Sequence, residues 1–494
     1  MSEAIAQKQP RALYYLFFAE AWERFSFYGM RALLVLYLTE AFAFGDKRAY
    51  LLYGSYTALV YTTPVIGGLL ADRLLGFRKA VTLGAVLMAL GHFAMAVENL
   101  QVLYFALALL ICGNGFFKPN ISSMVGRLYE TDDPRRDAGF TIFYMGINLG
   151  AMFAPVTCAY LGHRFGWHWG FGLAGVGMVL GLLVFLRARP LLEGLAEPPD
   201  APYLRRPALA GLSREVWVYV GSAAAVGVAW QLVQYSALLG RLLIGVGLIV
   251  AVGLLVMLSR LRDPGERRRM SVALVLIVFS IVFWAFFEQA GTSMSLFTSR
   301  NVNRSLFGHV IDAEAFQAVN PAIILLLAPV FGALWLYLAR RAREPSTPLK
   351  FALGIFQVGL GFVALYIGAV TSRATGHVPM FWLVLGYLLH TTGELCLSPI
   401  GLSMITKLSP PSAVGIMMGT WFLSSAFAQY VASLIASLTA VTGDGPGANI
   451  VPPPTETVMV YGHVFGNIAL VALAVGLLLV GLAPALARRM RAVG

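Results

Sequence analysis

The chain carries little charge. Of its 494 residues only 12% are Asp, Glu, Lys or Arg, against 58% hydrophobic, and soluble domains carry about 25% charged residues. Cysteine is scarce as well. Cys112, Cys158 and Cys396 are the only three, each inside an apolar stretch and none at metal-ligand spacing. They read as small packing residues rather than a redox or metal site. There is no phosphate-cradling loop, no metal-ligand cluster and no Ser/His/Asp constellation, which argues against ATP-driven pumping and hydrolysis; the chain is not expected to be an enzyme. The apolar runs lack the short polar–apolar alternation of barrel strands. No cleavable leader interrupts "MSEAIAQKQPRALYYLFF" before the first long span.

What the chain has instead is apolar runs of about 20 or more residues from end to end, each long enough to cross a hydrocarbon layer of about 30 Å. The expected fold is all-α and membrane-integral. Fourteen spans divide as six, two and six: two six-helix bundles with an inserted two-helix hairpin. The expected parts are an N-terminal bundle over 1–190, a cytoplasmic linker with two inserted spans over 191–266, and a C-terminal bundle over 267–494. The linker reads "RPLLEGLAEPPDAPYLRRPALAGLSR", rich in Pro and charge. A net charge of +12 is of the sign that nucleic acid attracts, yet about 26 of the 36 Lys and Arg fall on one side of the spans. The basic balance is therefore topology. It places both termini in the cytoplasm and the chain in the cytoplasmic (inner) membrane, with no nucleic-acid partner.

Ionisable residues inside spans are costly and usually functional. Within "EAWERFSFYGMR", Glu20, Arg24, Phe27 and Arg31 follow helical spacing and form one stripe, with Glu23 just to its side. Carboxylate and guanidinium one turn apart can pair, while Arg31 lies a turn or more from either Glu. Lys118, in the fourth span, precedes Pro119, with Asn114 and Ser122 a turn to either side. Glu288 and Glu394 occupy the first and fourth spans of the second six, so the same ordinal spans carry charge in both halves. Two related halves around shared charges is an architecture of secondary transporters. His390, a turn before Glu394, is either a relay or a polar residue near the outer end of its span. Asn148 and Asn320 either join helices by hydrogen bonds or line a cavity. Tyr28, Tyr61, Trp284 and Trp421 are core or cavity lining. Asp72 and Arg73, at a cytoplasmic helix end, read as a gate or packing element.

Glu20-x-x-Glu23-Arg24-Phe25 with Tyr28-Gly29 resembles the signature of the proton-dependent oligopeptide transporters, within the major facilitator superfamily. "GGLLADRLLGFRKAVTLG", "FFKPN", "FTIFYMGINLGAMF", "FQAVNP", "GELCLSPIGLS" and "GTWFLSSAFAQY" resemble the family's further motifs in order. The resemblance implies proton-coupled import of di- and tripeptides by alternating access, with no cofactor beyond protons and a chain working as a monomer in the bilayer. It implies that Arg31 and Lys118 hold the peptide carboxylate and Glu394 the ammonium. Tyr28, Tyr61, Asn148, Asn320, Trp284, Trp421 and Ser425 would line the cavity. Glu20, Glu23, Arg24 and Glu288 would form the coupling network, Glu288 pairing with Arg31 in one state as Lys118 pairs with Glu394. A small-anion transporter for nitrate or the like, on the same fold, is the alternative. No counterpart of a second-span His is evident, since Tyr50, Tyr53, Tyr56 and Tyr61 occupy that span.

Overall fold

The computed structural model describes residues 8–130, 132–445 and 447–491, with 399, 402 and 491 described by backbone alone. The first seven residues of the stretch read for a leader lie outside the described residues. Hydrocarbon offers the backbone no hydrogen-bonding partner, so a chain of this composition satisfies its amides within helices. Those helices are α1 (Arg11–Glu40), α2 (Asp46–Leu70), α3 (Phe77–Met95), α4 (Leu100–Arg127), α5 (Arg136–Phe165) and α6 (Trp167–Arg187). A short α7 (Ala201–Arg205) lies in the linker, and α8 (Arg214–Gln234) and α9 (Ser236–Arg260) are the inserted pair. The rest are α10 (Pro264–Phe287), α11 (Ser293–Asn301), α12 (Val319–Arg340), α13 (Thr347–Thr371), α14 (Met380–Leu408), α15 (Val414–Ala436) and α16 (Pro454–Arg491).

Among the described residues twelve helical segments are long and apolar enough to cross a membrane, two fewer than the fourteen spans expected. The other two are α1 and α3. At 30 residues α1 extends roughly 45 Å, and at 19 residues α3 extends roughly 28 Å. Length is not what sets them apart: α1 holds the Glu and Arg stripe, and α3 begins on Arg78 and Lys79 and buries His92.

The chain forms two compact units. One comprises Met1–Leu34 with Leu59–Tyr235, the other Val35–Ala58 with Ser236–Gly494. The inserted pair is thus divided, α8 belonging to the first and α9 to the second.

In the first unit α3 packs on α4 and α6, α5 on α6, and α8 on α4. Asn99 caps α4 by accepting from the Gln101 and Val102 amides at 2.9 and 3.2 Å. After α2 the ladder widens into a π-turn, Ala71–Leu75, and Gly76 then turns the chain at φ 72° into α3. A Cβ at Gly76 would meet the Glu197 and Pro198 backbone at 2.5 Å. The linker is thereby laid on the α2–α3 turn, fixed also by an Arg78–Glu197 pair at 2.7 Å.

In the second unit α13 packs on α14 and α16, and α10 on α15. The first span of the second six is broken: a 3-10 turn, Glu288–Gly291, separates α10 from α11. Among the described residues strands are confined to two-residue pairs after α11, Val302–Asn303 beside Val378–Pro379 and Ser305–Leu306 against His309–Val310.

Helix α5 seats α1. A Cβ at Gly150 would meet the Phe25 amide nitrogen at 2.8 Å and the Arg24 Cβ at 3.1 Å, and one at Gly146 would meet Phe17 at 2.9 Å. Two glycines a turn apart let the backbones touch beside the charged stripe. Replacing Gly150 by Leu should therefore lower the melting temperature in detergent by several degrees, since overpacking costs about 1–3 kcal/mol. Leucine at Gly172, where a Cβ meets nothing within 4 Å, should leave it unchanged; equal melting of the two variants would refute this account of the α1–α5 contact.

Candidate functional site

The stripe on α1 is buried: Glu20, Glu23 and Arg24 are 1%, 0% and 2% exposed. Arg24 serves both carboxylates. Its Nε lies 3.4 Å from Glu20 Oε1, and its guanidinium donates to both oxygens of Glu23, from Nη2 to Oε1 at 2.6 Å. The fork geometry of guanidinium suits this double engagement, which an ammonium could not match. The second oxygen of Glu20, Oε2, is buried and has no hydrogen-bond partner among the described residues. The face of the Phe27 ring lies 5.0 Å from the Arg24 guanidinium carbon.

Two further cations of this unit lie against aromatic faces. Arg31 sits 5.9 Å from the Tyr28 ring centre and the Lys118 ammonium 5.1 Å from that of Tyr61. Pro119, directly after Lys118, cannot donate to the Gly115 carbonyl a turn earlier. Gly67 of α2 comes up against that carbonyl so closely that no side chain would fit there. Asn114, a turn before Lys118, is buried with neither amide atom bonded among the described residues. Asn148 donates to the Tyr144 carbonyl of its own helix at 3.0 Å. Asp72 and Arg73 stand exposed in the π-turn.

In the second unit Asn320 of α12 donates to Glu394 of α14 at 2.9 Å and to Thr391 at 3.0 Å. The Asn320 amide thus joins two helices and orients a carboxylate at once. Glu288 is buried at the start of the 3-10 turn, and Trp284, a turn earlier, stands edge-on to Phe283 and Phe287. Trp421 of α15 lies on Gly401 of α14, where a Cβ would come within 2.5 Å of its ring. Ser425 donates weakly to the Trp421 carbonyl at 3.4 Å.

His390 is not at an outer helix end. It lies among Phe287, Phe362 and the glycine face of α13, bonded to the Val358 carbonyl. Its Nε2 has no partner among the described residues.

Comparison with known proteins decides the family. The chain matches the POT family over residues 78–450. This chain belongs to the POT family. A relative in Bacillus subtilis, the uncharacterised transporter YclF, is 37% identical over 491 residues, covering 98% of this chain and 96% of its own. The dipeptide and tripeptide permease A of Cronobacter turicensis is 34% identical, covering 98% of this chain and 94% of that protein. A crystal structure of a peptide transporter POT in complex with sulfate matches with a TM-score of 0.83 at 37% identity, over 98% of this chain and 96% of that one.

One cluster of this chain was not legible in the sequence as a site. Asp46, at the first residue of α2, accepts from both Arg300 Nη atoms at 2.7 and 2.8 Å, from the Thr442 hydroxyl at 2.6 Å and from the Val441 amide at 2.9 Å. Arg300 also reaches the Tyr461 hydroxyl at 3.1 Å. Both partners sit at span ends, where charge is ordinary, so only the fold reveals that they meet.

Removing one member of a buried ion cluster costs about 3–5 kcal/mol because the others stay behind uncompensated. Arg24→Ala should therefore yield a protein that melts well below wild type in detergent. Arg24→Ala combined with Glu23→Gln should recover much of the loss. If the double variant is no more stable than the single one, the Arg24 cluster is not held together by charge.

Proposed function

We propose that this chain imports di- and tripeptides with protons across the cytoplasmic membrane by alternating access. It works as a monomer with both termini inside, and it transports its substrate rather than transforming it. No cofactor beyond the coupling proton is needed, and its partners are peptides and the lipid bilayer rather than nucleic acid.

The observation that carries this reading is the sign of the mid-span charge in each unit. In the first, Glu20 and Glu23 stand with Arg24, Arg31 and Lys118, a formal surplus of one cation; in the second stand the carboxylates Glu288 and Glu394. A substrate matched to both signs is a zwitterion, which a peptide with free ends is. A nitrate transporter would have use for Arg31 and Lys118 but little for Glu394. Membership of the POT family and the likeness to dipeptide and tripeptide permeases support the same substrate class.

Within that reading Arg31 and Lys118 take the peptide carboxylate and Glu394, oriented by Asn320, the ammonium. Tyr28, Tyr61, Asn148, Trp284, Trp421 and Ser425 line the path, Asp72 and Arg73 belong to the cytoplasmic gate, and Glu20, Glu23, Arg24 and Glu288 couple transport to protons. A carboxylate in low dielectric that loses its countercharge takes up a proton rather than stay ionised. We assign the coupling proton to Glu288.

The test is uptake of labelled dialanine into proteoliposomes under an inward proton gradient, where accumulation is expected and accumulation of nitrate alone would overturn the substrate assignment. A charge-assisted hydrogen bond contributes about 1.5–3 kcal/mol, so capping either end of the peptide should weaken competition by about tenfold or more. Equal competition by N-acetylated dialanine would remove Glu394 from its role. Glu288→Gln should abolish gradient-driven accumulation while sparing counterflow, in which no net proton moves. Accumulation at the wild-type rate in Glu288→Gln would place the coupling proton elsewhere.

A further inference from the structure

The first unit contains a groove lined by none of the residues assigned above to peptide transport. It encloses about 550 Å³ between α2, α4 and α8, well within the roughly 300–1,000 Å³ of small-ligand sites. Its α8 wall is the face on which Arg214, Trp217, Gly221 and Ala225 recur every three or four residues. The opposite wall runs from Thr63 of α2 to Leu74 of the π-turn. Each wall runs eleven residue steps, so the groove is roughly 16 Å long. One leaflet of hydrocarbon is about 15 Å deep, half of a layer of about 30 Å.

The two ends differ in chemistry. The deep end lies between Thr63, Cys112 and Ala225, and the walls are almost wholly apolar. The other end is closed by the linker, where the Trp217 indole donates to the Leu209 carbonyl at 2.9 Å. There the Arg214 guanidinium lies over the Tyr203 ring at 4.1 Å and reaches the Tyr203 and Arg206 carbonyls at 3.5 and 3.4 Å. Neighbouring Glu215 is taken up by Lys79 at 2.5 Å and by Tyr219 at 2.9 Å. Arg214 has no carboxylate at ion-pair distance among the described residues.

An apolar slot as deep as one leaflet, with an unneutralised guanidinium at its headgroup end, fits one kind of molecule. We propose that the groove seats an acyl chain of an anionic phospholipid, with its phosphate on Arg214. Basic residues at the membrane surface select anionic lipids in this way. The bound lipid would fill the space between α2 and α8 and join the inserted helix to the six-helix bundle.

Gly221 offers a clean variant, because a Cβ there meets nothing within 4 Å and the helix face is open. The full chain would be placed in mixed vesicles of phosphatidylcholine and phosphatidylglycerol with matched acyl chains, extracted in mild detergent, and its retained lipid counted by native mass spectrometry. Wild type should retain phosphatidylglycerol over phosphatidylcholine. Arg214→Gln should lose roughly fivefold of that preference, Arg214→Lys should keep most of it, and Gly221→Phe should lose retention of both lipids. Equal retention of the two lipids by wild type, or an unchanged preference in Arg214→Gln, would overturn the headgroup assignment. Retention unaffected by Gly221→Phe, or a dimer of this chain that Gly221→Phe dissolves, would overturn the acyl-chain assignment. Binding of inorganic phosphate that competes with the lipid and survives Gly221→Phe would leave a phosphate site without an acyl groove, and the proposal would fail.

Discussion

Charge held out of water is the constraint on which this molecule turns. An isolated carboxylate in hydrocarbon surroundings is too costly to keep ionised, and a half-paired cluster is worse than an apolar one. Arg24 meets that constraint in α1 by engaging Glu20 and Glu23 together. Its neighbours follow from it. The stripe removes α1 from the helices apolar enough to cross a membrane by composition, so α1 needs protein around its charged face. Gly146 and Gly150 supply that cover by bringing the α5 backbone against Phe17 and Arg24. A larger residue at either position would hold α5 away and open the cluster to lipid.

The second unit solves the same problem at a helix end. Asp46 accepts four hydrogen bonds, two of them from Arg300, and so spends every strong acceptor site on local partners. Asn301, the next residue, donates to the Gly376 and Pro454 carbonyls and to Thr457. The beginning of α2, the end of α11, the segment after α15 and the beginning of α16 are thereby tied at one end of that unit. Saturated in this way, the cluster has structural work to do and nothing left over for a ligand.

How much of this a reader of the sequence could see depends on whether the signal was local. Span length, the positive bias of one set of loops and the i, i+4 relation of Glu20 to Arg24 are local, and each is legible. The insertion of two apolar spans after the sixth is legible for the same reason. The π-turn at Asp72 and the 3-10 turn at Glu288 are not, because their residues continue an apolar helical pattern and only tertiary packing selects the wider or tighter ladder. His390 was misplaced towards a helix end because hydropathy alone cannot locate a residue along a span; the structure surrounds it with Phe287 and Phe362. The Asn320–Glu394 contact spans 74 positions, and the Asp46–Arg300 contact 254. No periodicity reports either. Asn148, for which helix joining and cavity lining both stood open, donates within its own helix.

In the reading proposed above, the manner in which each buried charge is held separates the fixed ones from those open to a ligand. Arg24 and Asp46 are held by opposite charges at short range, so displacing a partner would strand a bare ion. Lys118, by contrast, lies against the Tyr61 ring, and Glu394 accepts from the Asn320 amide. Both of these partners are neutral. A neutral partner orients the ion and recovers part of its lost hydration, yet it leaves the net charge standing. An incoming countercharge then adds its attraction without breaking an ion pair, and it meets a group already positioned, which lowers the entropy that binding must overcome. The neutral cradle also makes release possible, since the ion that remains after the ligand departs returns to a partner it never lost. A transporter must bind and let go in each cycle, and charges held by an aromatic face and an amide suit that requirement better than charges locked in a guanidinium fork.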